Sequence, residues 1–104
     1  MVSLLYLIIT RYAIGDKMTA LLITYDLNKA GQDYKGFYEV IKKYPYAKLS
    51  ESSYAIQTQE TVLDIYNKLF VHMDKNDHVY VVTLAQPYYG YGLTEVNNWL
   101  SQRL

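Results

Sequence analysis

The chain has no cysteine, which excludes disulfide cross-links, thiolate metal sites and a cysteine nucleophile. Histidine is nearly as scarce, and His72 and His78 are too few for a histidine-rich metal cage. Charge of one sign is also missing, because ten basic and ten acidic side chains cancel. A sequence-independent grip on nucleic acid draws on a basic surface that displaces counterions, so net neutrality argues against one. No Walker loop, dinucleotide fingerprint, nucleophile elbow or zinc-ligand spacing is present. The apolar run Val2 to Ile9 falls short of the roughly 20 residues that cross a bilayer, and no membrane partner is expected. The cysteine-free composition fits a cytoplasmic location.

What is present is an ordinary globular balance, 51% hydrophobic and 19% charged over 104 residues, enough for one core. Tyrosine stands out with 13 copies. Its bulk suits half-buried sheet positions with the hydroxyl reaching solvent; a stacking surface for bases is the sharper reading.

Residues 1–17 form an N-terminal extension. No Lys or Arg precedes its apolar run, and Arg11-Tyr12 is a poor signal-cleavage context. Gly15-Asp16-Lys17 can be encoded by GGA-GAT-AAA, a purine-rich string resembling a ribosome-binding site ahead of Met18. We therefore read Met18 as the natural start; an intact mass that includes Met1 would overturn this. The alternative makes Ser3 to Ile9 an extra strand or an apolar arm.

Residues 18–104 read as a single domain. Ala20 to Tyr25, ending at Asp26, is a continuous apolar run suited to a central strand. A polar loop through Gly31 leads to a helix opened by Gln32 or Asp33, with Tyr34, Phe37, Tyr38, Ile41 and Tyr44 at helical steps and Pro45 as its stop. Ala47 to Ser50 and Ser53 to Thr58 are expected strands about a turn at Glu51-Ser52. Glu60 to Met73 carries an apolar stripe of Val62, Ile65, Tyr66, Leu69, Phe70 and Met73, and predicts a second helix. His78 to Leu84 is β-rich, and Thr94 is placed to cap a final helix bearing Val96, Trp99 and Leu100. The order β-α-β-β-α-β-α is the split arrangement of an α+β ferredoxin-like fold with a C-terminal helix. Both crossover helices then share one sheet face, leaving the other for the final helix, residues 1–17 or a second copy to cover.

Candidate chemistry is sparse. Asp26, at a strand's carboxyl end, is placed to bind Mg²⁺ with waters and substrate phosphates, or else to cap its own loop. Ser52 and Ser53 lack a neighbouring base and read as turn residues. His78 follows Asp77 and is a general acid or base, or an exposed turn residue; His72 favours a helix C-terminus. The segment Gln86 to Gly92 sets Tyr88, Tyr89 and Tyr91 among glycines, as a lid over a binding surface or as packing for the last helix. Tyr25, Ser53 and those three tyrosines are the candidate contacts to a ligand or partner. Lys35, Lys42 and Lys43 form a modest basic patch of the kind usual on a solvated face.

Leu22-Ile23-Thr24-Tyr25-Asp26-Leu27 followed by a polar loop and helix, Ser52-Ser53-Tyr54-Ala55-Ile56, Asp77 to Leu84 and the Trp99-Leu100 helix together resemble the small CRISPR-associated proteins of the adaptation complex. The likeness is nearer to their SinR-like relatives, and it spans nearly all of residues 18–104. It implies a ferredoxin-like homodimer. In the CRISPR members the aspartate after the first strand, here Asp26, is the proposed Mg²⁺ ligand of a nuclease activity, and those members bridge integrase subunits on DNA. VapD-type toxin ribonucleases share the architecture. This chain departs from the pattern in its arginines, which are only Arg11 and Arg103. The expectation is thus a dimeric interaction or regulatory module without catalysis, with a Mg²⁺-dependent endonuclease using Asp26 across a dimer interface, or a small-ligand or nucleotide sensor, as alternatives.

Overall fold

Alternation of side chains along each strand decides where the core lies. In β1 (Thr19–Asp26), Leu21, Ile23 and Tyr25 point one way; in β3 (Ser53–Thr58), Tyr54 and Ile56 do the same. These five join Phe37 and Ile41 of α1 (Lys35–Lys42) and Ile65 and Leu69 of α2 (Val62–Phe70) in one buried cluster. Helical side chains three and four apart share a face, so each helix presents its pair to that same side of the sheet. Full burial of such side chains is worth about 1.5–3 kcal/mol each, which makes this cluster the main adhesive of the domain. The computed structural model describes residues 18–104; the expectations placed on residues 1–17 lie outside the described residues.

β2 (Tyr46–Ser50) and β4 (His78–Leu84) complete a four-stranded sheet in the order β2-β3-β1-β4, every neighbouring pair antiparallel. β1 and β3 are therefore the interior strands. The last helix, α3 (Thr94–Ser101), contacts β2. Arg103, just beyond it, donates to Gln57 Oε1 at 3.1 Å and stacks on Trp99. Gln57 alternates with Ile56, so α3 lies against the sheet face opposite α1 and α2, over Ala47 and Ala55, both buried. The β4 half of that face is left open, with Tyr80 68% and Val82 48% exposed.

Three expectations need correction. Thr94 does not cap α3; Leu93 occupies the cap position without a side-chain bond, and Thr94 is the first helical residue. The true cap is in α2, where Thr61 Oγ1 accepts from Asp64 N and Asp64 Oδ2 accepts from Thr61 N, a reciprocal capping box. This starts α2 at Val62, and it ends at Phe70, three residues before Met73. The expected stripe on that helix also buries less than its periodicity suggests: Ile65 and Leu69 are fully enclosed, whereas Phe70 stands exposed and stacks on Tyr66. The helix packs through a narrow seam.

Candidate functional site

Asp26 ends β1 on the face away from α1 and α2, with an exposed side chain. Its register partner across β4 is His78, also exposed. The loop beyond is not capped by Asp26. Asn28 N instead donates to Asp77 Oδ1 at 2.6 Å, and Asp26 contributes only its carbonyl, to Asn28 Nδ2 at 3.4 Å. Among the described residues no group of three or more His, Cys, Asp or Glu side chains converges. One chain therefore offers Mg²⁺ a single carboxylate and does not by itself fit a resident ion.

Asp77, to which sequence reading gives no role beyond neighbouring His78, is the carboxylate the fold puts to most use. It is 9% exposed and receives Asn28 N, Asp74 N at 2.7 Å, and the Tyr34 hydroxyl at 2.8 Å to each oxygen. The Tyr34 oxygen in turn accepts Lys29 N at 3.1 Å. Burial pushes the Asp77 carboxyl up, but the Asn28 and Asp74 N–H groups, the Tyr34 hydroxyl and nearby His78 outweigh it and hold it below the ordinary value. The loops after β1 and after α2 are thereby clipped together beside Asp26, with the Lys29–Asp74 ion pair at 3.4 Å alongside. Gly31, at φ +78°, supplies the left-handed residue of the first loop.

The tyrosine candidates separate. Tyr25 is 7% exposed, packs edge-on to Phe37 at 5.1 Å and donates its hydroxyl to Glu51 O at 3.1 Å. Burial pushes its phenol far up, with Tyr38 adding to the shift. It is a core residue with no surface to give a ligand. Ser53 is half-buried, its Oγ 2.6 Å from Ser50 Oγ across the β2–β3 turn, as a turn role predicts. Tyr88, Tyr89 and Tyr91 line a cleft of about 610 Å³ with Leu49 and α3, and Tyr89 and Tyr91 are fully exposed. The lining carries amides and phenols and no formal charge. Asn97 Nδ2 donates to Gly92 O at 3.2 Å and ties the loop to the helix.

Two further groups have structural employment. The His72 imidazole lies over Gly36, where a Cβ would overlap the ring, so that histidine seals α1 against the end of α2. Tyr44, Glu60 and Lys68 form a closed triangle: Tyr44 donates to Glu60 Oε1 at 2.6 Å, and Lys68 Nζ donates to Glu60 Oε2 and to the Tyr44 oxygen. Those two acceptors push the lysine up to about 12. The same bonds hold the Glu60 carboxyl below its usual range. Every buried side-chain nitrogen and oxygen among the described residues has a partner.

No family model and no curated protein matches the chain. Among solved structures it is similar to a hypothetical protein from Thermus thermophilus, with a TM-score of 0.59 and 17% identity over 73% of this chain and 93% of that chain. At that identity the likeness speaks for the fold alone, a small α+β domain.

Proposed function

We propose that the chain is a small dimeric interaction or regulatory module of ferredoxin-like fold, akin to the CRISPR-adaptation and SinR-like proteins it resembles, with no catalysis of its own. The strand order β2-β3-β1-β4 and the helices following β1 and β3 support the ferredoxin-like reading. The observation that carries the interaction reading is the surface of β4: Tyr80 and Val82 stand side by side in solvent while α3 covers the β2 side. Among the described residues no three His, Cys, Asp or Glu side chains come together. Sedimentation velocity at micromolar concentration is expected to give twice the chain mass, and incubation with RNA or duplex DNA and Mg²⁺ or Mn²⁺ to leave both uncut. A monomer would overturn the proposal.

A second reading, a Mg²⁺-dependent endonuclease, is favoured by the exposure of Asp26 beside His78. It requires a second copy to bring the missing carboxylate. Cleavage abolished by Asp26→Ala would support it; cleavage indifferent to that change would remove Asp26 from the chemistry.

A further inference from the structure

The two outer strands are unlike. β2 exposes Lys48, breaks register between Lys48 and Ser50, and has α3 against it; these features obstruct addition of another strand. β4, His-Val-Tyr-Val-Val-Thr-Leu, has no Lys, Glu, Asp or Pro and pairs with β1 without a register break over its seven residues.

Hydrogen-bond alternation shows which groups β4 turns outward. Tyr25 N donates to Ser52 O at 3.0 Å, so Tyr25, Ile23 and Leu21 bond toward β3. Asp26, Thr24, Leu22 and Ala20 then bond toward β4, where their partners are His78, Tyr80, Val82 and Leu84. Val79, Val81 and Thr83 are left with N–H and C=O directed away from the sheet. Among the described residues nothing pairs with them.

We propose that β4 is the docking edge for a second copy of this chain, the two β4 strands pairing antiparallel about a two-fold axis at Val81 so that one sheet runs through both subunits. This rests on the dimeric reading above and names its surface. The register is self-complementary. Val81 meets the partner's Val81, and Val79 meets the partner's Thr83, each exchanging an N–H and a C=O bond. Tyr80 then lies opposite the partner's Val82 in the closer, non-hydrogen-bonded pair, an aromatic–β-branched contact that favours strand pairing. No formal charge lies on either strand, so no like charges face each other. On the helix side, Tyr66, Phe70, Met73 and Val79 border a shallow cleft of about 200 Å³ next to the open edge, with Phe70 exposed. The arrangement also sets the two Asp26 residues roughly 20 Å apart along the strand direction, too far to share an ion.

The absence of cysteine makes the test clean. The full chain carrying Tyr80→Cys and Val82→Cys together is oxidised and run without reductant. A covalent dimer is expected from the double variant and from neither single one, since each cysteine meets its counterpart only across the axis. Thr83→Pro removes an outward N–H and spares the bonds to β1; it is expected to keep its circular dichroism and dissociate at least about tenfold more readily. A wild-type monomer, including one whose own residues 1–17 cover β4, overturns the dimer and the edge together. A wild-type dimer that fails to cross-link overturns the edge alone. Should Thr83→Pro not fold, the cross-link decides.

Discussion

A buried carboxylate that receives two backbone N–H groups and a phenol fixes more chain than its size suggests. Asp77 holds together two loops more than 40 positions apart in the sequence, and Asp77→Asn leaves those donors with a neutral, poorer acceptor. A loss of about 1–3 kcal/mol is expected, measurable by chemical denaturation. The sign of the pH dependence follows from its lowered carboxyl. Its stabilisation is fully present above the unfolded value of about 3.9 and is lost as the pH falls through the folded one. The gap in melting temperature between wild type and Asp77→Asn is therefore expected to close on acidification below about pH 4. None of this was legible in the sequence, because the partners Asn28 and Tyr34 lie 49 and 43 positions away. Asp26 was legible as the end of a strand from the apolar run before it. Its exposure and lack of converging ligands were not.

At the level of elements, Ser53–Thr58 and His78–Leu84 were legible to the residue as β3 and β4, the first from the alternation of Tyr54 and Ile56 with Ala55 and Gln57 and the second from its β-branched composition. Helix ends were less legible. Apolar periodicity runs on through Phe70 to Met73, whereas the helix is bounded by hydrogen bonds: the Thr61 capping box at one end and tighter turns, His72 N to Leu69 O and Met73 N to Phe70 O, at the other. Thr61→Ala is expected to cost about 1 kcal/mol, read as a lower denaturation midpoint with an unchanged slope. Gly36→Ala is expected to destabilise too, because a methyl there displaces the His72 ring from between the helices; a thermal melt of the variant checks it. Tyr25 shows the limit of composition: seen as one of many tyrosines beside Asp26, it reads as a contact, while the fold closes Phe37, Tyr38 and Tyr54 around it.

For the whole molecule, a neutral chain whose proposed contact strand bears no formal charge should associate through apolar area and backbone pairing. The dimer dissociation constant is accordingly expected to change less than about threefold between 50 mM and 500 mM salt, because screening acts on charges; sedimentation across that range measures it. Among the described residues no helix is long and apolar enough to cross a membrane. The inequality of the two sheet edges carries a further consequence, for when assembly stops. Were both edges receptive, each added chain would expose another, and growth would run on into a fibre. With Lys48 and the β2 irregularity guarding one side, two chains joined at β4 present only guarded rims. In the proposed dimer the count would halt at two, the edge that recruits a partner being consumed in doing so.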